Sequence, residues 1–222
     1  MSYNSRRNSD SLRSWARGAS LALALAVIAD RSFAQGIIHY VPTPPLYYSF
    51  LLTSQDIDVN NDGTADYNLS TPDGIAINLT PLNNNGILSV LQPPPDIGAY
   101  IYALPAGAQI SSSLNPAFVW FDRNSSGGTA TIVASSTAGS LGYFQGNTDA
   151  YAGIRLEIGG NFHCGWFHIQ NIGFNAGQIS DWAYESNPNT PIFAGQVPEP
   201  SISVLLAIGI LTLTIQRRRK SL

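Results

Sequence analysis

The stretch that decides the fold is Tyr151-Ala152-Gly153-Ile154-Arg155-Leu156-Glu157-Ile158-Gly159-Gly160-Asn161-Phe162-His163-Cys164-Gly165-Trp166-Phe167-His168-Ile169-Gln170. Two runs rich in aromatic and branched side chains flank a Gly-Gly punctuation mark, which predicts two strands, 151–158 and 162–170. Successive side chains of a strand point to opposite faces. Phe162, Cys164, Trp166 and His168 therefore share one face, and His163, Gly165, Phe167 and Ile169 the other. The expectation is that Phe162, Cys164 and Trp166 face the core. Gly165 then leaves room on the opposite face for a neighbouring side chain or backbone.

Outward from this stretch the same grammar repeats. Further strands are expected at 37–41, 46–52, 75–79, 87–91, 97–104, 117–121, 129–135 and 179–184. Turn residues separate them at 42–45, 83–86, 93–95 and 125–128. About ten short strands without a long helical period predict an all-β chain, a single β-sandwich of jelly-roll type. No repeat of 20–50 residues is visible, which argues against a propeller or solenoid. The 20 glycines and 14 prolines beside only 11% charged residues argue against a coiled coil or a charged disordered chain. A single Cys excludes a disulfide framework within the chain and a multi-Cys zinc site.

The two ends read as addresses. Arg6, Arg7, Arg13 and Arg17 precede an apolar run, 19–29, and Ser32-Phe33-Ala34 offers small residues before Gln35. That is a secretory signal peptide over residues 1–34, with cleavage after Ala34 or, failing that, after Ala29. A twin-arginine reading of Arg6-Arg7 is opposed by the polar residues 8–11. The C-terminus carries Pro198-Glu199-Pro200, a nearly apolar run at 201–215, and Arg217-Arg218-Arg219-Lys220. As a helix the run rises only about 22 Å, against a hydrocarbon core of roughly 30 Å, so it spans only with snorkelling arginines or a thinned bilayer. The basic cluster predicts a cytoplasmic end, with everything upstream outside.

Pro-Glu-Pro, a short apolar helix and a terminal arginine cluster, paired with a signal peptide, resemble the PEP-CTERM sorting signal of Gram-negative bacteria that make extracellular polysaccharide. The resemblance implies export by the Sec machinery, transient residence in the inner membrane, and processing by the transpeptidase exosortase. It divides the chain into a signal peptide (1–34), an ectodomain (35–196) and a sorting signal (197–222). Residues 151–157, 162–167, 179–185 and 191–195 also resemble the last strands of a common PEP-CTERM ectodomain type, with Trp182-Ala183-Tyr184-Glu185 and Pro191-Ile192-Phe193-Ala194-Gly195 matching. His163-Cys164 departs from the paired aromatics usual there, and the type brings no assigned activity.

Charge narrows the partners. Between Gln35 and Val197 stand two arginines, Arg123 and Arg155, against eleven acids, leaving a formal −9. Such a surface is poor at neutralising phosphates, so nucleic acid is not expected as a partner. The acids concentrate in Asp56-Ile57-Asp58-Val59-Asn60-Asn61-Asp62-Gly63-Thr64-Ala65-Asp66, where oxygen side chains recur at alternate positions and Gly63 permits a sharp turn. Calcium takes six to eight oxygens. The run resembles the first part of an EF-hand or dockerin-like loop, and implies Ca2+ held by Asp58, Asn60, Asp62 and Asp66 side chains and the Thr64 carbonyl, with Asp56 joining or lying just behind. Leu69 stands where an EF-hand places its bidentate Glu, and no helices flank the loop; a solvated Asp/Asn turn is the alternative.

Other chemistry is less well served. His163 and Cys164 point to opposite faces of one strand, so Cys164 reads as a small buried apolar side chain. The middle of the chain has no Gly-x-Ser-x-Gly elbow, Gly-rich phosphate loop or His-rich zinc motif. His39 is available for a Ser and an Asp in space, and Asp122 and Glu157 for a glycosidase pair, but nothing in their spacing requires either. Trp120, Trp166, Trp182 and the tyrosines are candidates for a sugar-stacking platform, though their period-two placement favours the core. The expected function is therefore non-enzymatic: an exported cell-surface or matrix protein, structural or adhesive among extracellular polysaccharide. A carbohydrate-binding module is the second reading and a degenerate glycoside hydrolase the third.

Overall fold

The computed structural model describes residues 36–51, 54–91, 99–123, 129–136, 139–146, 148–173 and 176–198. Residues 37–198 form one compact unit. The expected signal peptide, 1–34, and the expected sorting signal from Glu199 onward, including Pro200, Arg217, Arg218 and Arg219, lie outside the described residues. Among the described residues no helix is long and apolar enough to cross a membrane.

The unit is all-β. Its strands are β1 (Ile37–Tyr40), β2 (Leu46–Ser49), β3 (Ser54–Ile57), β4 (Tyr67–Ser70), β5 (Ala76–Pro81), β6 (Gly86–Leu91), β7 (Ala99–Ile101), β8 (Ala103–Leu104), β9 (Gln109–Ile110), β10 (Val119–Phe121), β11 (Ala130–Ser136), β12 (Gly139–Leu141), β13 (Asp149–Ile158), β14 (Asn161–Asn171), β15 (Ala176–Glu185) and β16 (Ile192–Phe193). Hydrogen bonding runs along one path, β1-β15-β14-β13-β6-β7-β11-β5-β4-β3, with β2 beside β15, β8 beside β13, β10 beside β6 and β12 beside β11. Strands β9 and β16 make a separate two-stranded ribbon. Among the described residues only the β7–β11 pairing is parallel.

The quoted stretch is the centre of this path. Strands β13 and β14 pair over ten residues, from Asp149↔Gln170 to Ile158↔Asn161. The two-residue turn between them has Gly159 at φ 59° and Gly160 at φ 80°. A tight hairpin turn with both central residues in the left-handed region keeps the twist of its strands, and glycine adopts it without a Cβ clash.

The path curls so that β4 lies across the core from β14. Tyr67 on β4 meets Phe167 on β14 edge to face at 5.2 Å, and Phe167 meets Trp182 on β15 at 6.0 Å. The Tyr67 hydroxyl donates to the Gly86 carbonyl at 2.9 Å, and the Trp182 indole to the Val59 carbonyl at 3.2 Å. The larger core is thus lined by Ile154, Leu156, Phe167, Ile169 and Trp182 on one side and by Tyr67, Leu69, Ile77 and Leu79 on the other.

Which face of β14 meets that core differs from the sequence expectation. Phe167 and Ile169 line it, while Cys164 and Trp166 point away into a second, smaller cluster with Ile37, Leu104, Ile110, Ile192 and Ala194. The β9–β16 ribbon covers this cluster. Ala194 N–H donates to the Ala108 carbonyl at 2.8 Å, and the Trp166 indole to the Gln196 carbonyl at 3.3 Å. Trp166 is fully buried all the same, and Phe162 only half-buried. The sequence pattern was ambiguous here because β14 carries large apolar residues on both faces. An antiparallel sheet commonly leaves one face to water; here the β9–β16 ribbon covers part of the second face as well.

Gly165 marks a close approach of neighbouring strands. A Cβ there would lie 2.5 Å from the Ala183 carbonyl oxygen and 3.0 Å from Ile154 Cγ1 and Tyr184 Cβ. Gly165→Ala is expected to cost about 1–3 kcal/mol through overpacking. Trp166→Ala is expected to cost about 3–5 kcal/mol through the lost contacts and the cavity. Urea unfolding of both variants checks this, and a loss below about 1 kcal/mol for Trp166→Ala would contradict its place in the second cluster.

Candidate functional site

Two side-chain constellations deserve a functional reading, one anticipated and one not. The first is the acidic loop joining β3 to β4. Asp58 accepts from the Asp62 and Gly63 amides at 3.2 and 2.7 Å. Asn60 accepts from the Asp62 amide at 3.0 Å, and its side-chain amide donates to Asp62 at 3.0 Å. Asp62 accepts from the Thr64 amide at 2.8 Å. That bond, followed by the one from Asn60, holds the Asp62 carboxyl below its ordinary range. Asp58, Asn60, Asp62 and Thr64 are thus gathered on one exposed turn, with Gly63 at φ 89°.

Asp56 and Asp66 stand apart from that group. Asp56 lies on β3, exposed, and accepts from the Asn68 amide on β4 at 2.7 Å. Asp66 is buried, 4% exposed. Its Oδ2 accepts from the Val59 amide at 2.8 Å and its Oδ1 from Asn85 Nδ2 at 3.1 Å. Asn85 in turn accepts from the Glu157 amide at 2.7 Å. Burial pushes the Asp66 carboxyl up, against the opposing pull of the Val59 and Asn85 bonds. Asp66 therefore fastens the base of the loop to the β5–β6 turn and to β13. Among the described residues no group of three or more His, Cys, Asp or Glu side chains is placed to hold a metal ion; the loop's remaining oxygens come from Asn60 and the backbone.

The second constellation crosses the face of the sheet that carries Trp166. Its members are His39 on β1, Ser180 and Asp181 on β15, His168 on β14, and Asp149 and Tyr151 on β13. His39 Nε2 lies 2.9 Å from Asp181 Oδ2, His168 Nδ1 2.8 Å from Asp181 Oδ1, and His168 Nε2 2.5 Å from Asp149 Oδ1. Tyr151 stacks on the His168 ring at 4.6 Å. The polar strip continues through Gln170, which donates to Asp149 at 3.4 Å, to Gln178, which donates to Gln170 at 2.6 Å. Opposite Gln178 on β2 stands the exposed Tyr47.

A register shift builds this cluster. His168 pairs with Asp181 but Ile169 pairs with Ile179, leaving Ser180 as the extra residue of a bulge. A bulge re-aims the side chains beside it. Ser180 Oγ consequently lies 2.9 Å from His168 Nδ1 and donates to Asp181 Oδ1 at 2.6 Å. Ser180, His168 and Asp149 have the connectivity of nucleophile, base and orienting acid. Two features oppose that chemistry. The hydroxyl proton is already given to Asp181, and the ring is flanked by carboxylates on both nitrogens, which favours its protonated form. The Asp181 bond is foremost in raising the His168 pKa. Burial alone would raise Asp181, but the bonds from His168, Ser180 and His39 hold it down at about 2. A ring drawn toward its protonated form is a weaker general base.

The remaining sequence candidates fall into structural roles. Cys164 is buried, and burial pushes its thiol up to about 11, which leaves it unreactive. His163 is on the opposite face, its Nδ1 2.8 Å from the Glu185 carbonyl oxygen. Glu157 accepts from Asn84 Nδ2 at 3.0 Å. Trp166 and Trp182 are buried and Trp120 half-buried, so the tyrosines supply the exposed aromatic surface beside the polar strip.

The Asp66 junction has a measurable consequence. Asp66→Ala leaves the Val59 amide and one bond of the buried Asn85 unmet, and is expected to cost about 1–3 kcal/mol in thermal or urea unfolding. Asp62→Ala, on the exposed turn, is expected to lie within about 0.5 kcal/mol of wild type in metal-free buffer. Equal losses in the two variants would contradict the division of the loop into a buried base and an exposed tip.

No protein-family model matches the chain, and neither a curated protein nor a solved structure matches it significantly.

Proposed function

We propose that the chain is an exported, non-enzymatic protein of the cell surface or extracellular matrix, sorted by exosortase and structural or adhesive among extracellular polysaccharide. The observation that carries this reading is the order of Pro198-Glu199-Pro200, apolar run and Arg217-Arg218-Arg219-Lys220 behind a signal peptide. The boundary of the compact unit agrees with it. That unit ends at Pro198, so the apolar and basic parts of the motif follow the folded β structure directly. The curled sheet, with β4 packed across β14, is read as a jelly-roll-like sandwich joined along one side by hydrogen bonds.

Intact-mass analysis of the mature protein from its host tests the sorting claim. The expected mass lacks residues 1–34 and the Arg217–Lys220 cluster, and Glu199→Ala leaves unprocessed precursor in the inner membrane. Surface-located protein with an intact C-terminus would contradict the reading.

Calcium at the β3–β4 loop is part of the same proposal. Its support is the gathering of Asp58, Asn60 and Asp62 on one exposed turn beside the Thr64 backbone. Asp66 and Asp56 would have to give up their present partners, Val59 and Asn68, to join a cation. A site assembled at that cost, without a twelfth-position Glu, belongs in the weak range of roughly 10⁻⁴–10⁻³ M used by extracellular modules. At free calcium a hundred times the dissociation constant the folded state gains about 2.7 kcal/mol. Thermal unfolding in calcium and in chelator is expected to show an upward shift in wild type and none in Asp62→Ala; an unmoved wild-type midpoint removes the metal from the account.

A specific observation favours carbohydrate binding as the second reading. The strip Tyr47, Gln178, Gln170, Asp149, Tyr151 and His168 places amide, carboxylate and imidazole groups beside aromatic rings on one sheet face. Planar hydrogen-bonding side chains next to an aromatic surface suit a sugar's hydroxyls and its apolar face.

A further inference from the structure

The imidazole of His168 is held between two carboxylates. Its Nε2 faces Asp149 Oδ1 at 2.5 Å and its Nδ1 faces Asp181 Oδ1 at 2.8 Å. An ionised carboxylate only accepts hydrogen bonds, and a neutral imidazole carries one N–H. Both contacts are therefore hydrogen bonds only when the ring holds both protons. Loss of either proton sets a nitrogen lone pair against a carboxylate oxygen.

The surroundings decide which contact fails. Asp181 is the better-anchored partner: it also receives Ser180 Oγ–H at 2.6 Å, lies 2.9 Å from His39 Nε2, and its side chain is only 19% exposed. The Asp149 side chain is 63% exposed and also receives a long 3.4 Å bond from Gln170 Nε2. Ser180 Oγ also lies 2.9 Å from Nδ1, but its proton is donated to Asp181 at the shorter 2.6 Å, so when one ring proton leaves, Nδ1–H stays on Asp181 and Asp149 turns to water. Tyr151, the other titratable group on β13 facing the ring, stacks flat on it; burial, aided by Asp181 and Asp149, raises its pKa, so it stays a neutral phenol through the pH range concerned. On the ring's own strand the flanking side chains of that face are Trp166 and Gln170. The segment 191–198 that passes over Tyr151 at Gly195 has no ionisable side chain.

We propose that His168 and Asp149 form a pH-operated latch on the β13–β14 hairpin, closed while His168 carries both ring protons and opened at Asp149 when it loses one. Closed, the latch joins the first residue of β13 to β14 and, through Asp181 and His39, to β15 and β1. Open, it frees the Asp149 carboxylate at the exposed end of the polar strip, next to Gln170 and Gln178. The direction of the pH effect follows from linkage. A His whose folded-state pKa is raised contributes stability in full below its unfolded value of about 6.5, and loses it as pH rises through the folded value. The latch is thus closed in mildly acidic surroundings and opens toward alkaline pH. The inference stands on the cluster alone and is independent of the sorting and calcium readings.

The test is a nitrogen-15 and carbon-13 NMR titration of the histidine rings in the whole protein, beside Asp149→Asn. The substitution is at an exposed side chain and leaves Asp181, Ser180 and His39 in place. In wild type, His168 is expected to titrate above 6.5 and to emerge as the Nδ1–H tautomer. In Asp149→Asn its midpoint moves back toward the ordinary value, and the fall in thermal midpoint between pH 6 and 9 shrinks. A wild-type His168 that titrates at or below 6.5, one that emerges as the Nε2–H tautomer, or a midpoint and pH–stability profile unchanged in Asp149→Asn would overturn the latch.

Discussion

A sheet buried on both faces must find apolar side chains for two directions at once, and the rest of this structure depends on how β14 meets that demand. Phe167 and Ile169 fill the larger core, Cys164 and Trp166 the smaller one, and Gly165 lets the Ala183 backbone and the Ile154 side chain close in beside it. The curl of the sheet that brings Tyr67 over Phe167 closes one side. The β9–β16 ribbon, tied to Trp166 through Gln196, closes part of the other. Where the ribbon stops, the same face turns polar. That boundary places His168 and its partners half in water, with Trp166 two residues away fully buried.

This arrangement explains what was legible in the sequence. Strands β13, β14 and β15 could be read because each is long, with aromatic or branched residues in alternation and glycines at the turn. The all-β class followed from them and from the density of turn residues. Strands β3 and β4 escaped notice because Ser54-Gln55-Asp56-Ile57 and Tyr67-Asn68-Leu69-Ser70 bury only alternate residues and carry Asp and Asn outward. No strand is expected from either stretch, and Asp56 reads as a ligand rather than a strand residue paired with Asn68. Strands β9 and β16 have two residues each, too few for any period to show. The face of β14 that meets the larger core was also out of reach, since nothing in the residues themselves announces that a ribbon made from 109–110 and 192–193 will cover Trp166.

The candidate sites divide along the same line. The acidic loop was visible because its oxygens follow one another within a dozen residues. The histidine cluster was invisible because His39 and Asp181 are 142 residues apart, and because the bulge at Ser180 is needed to turn two consecutive side chains toward His168. Each member has an unremarkable sequence context. Only strand order and register make neighbours of them, and only the acceptors around one ring favour its doubly protonated form.

The central claim is that the β13–β14–β15 meander, covered on one face by the curl of the sheet and on part of the other by the ribbon, is the part of the fold on which the others are assembled. Native-state amide hydrogen exchange followed by mass spectrometry tests it most directly. Elements that open only with global unfolding exchange most slowly, while edges and covers open locally at lower cost. The account predicts the greatest protection in 152–157, 163–169 and 179–184, lower protection in the β3–β4 edge, and intermediate protection in the β9–β16 ribbon. Exchange in β14 as fast as that in β3 and β4, or a most protected unit lying outside the meander, would contradict it.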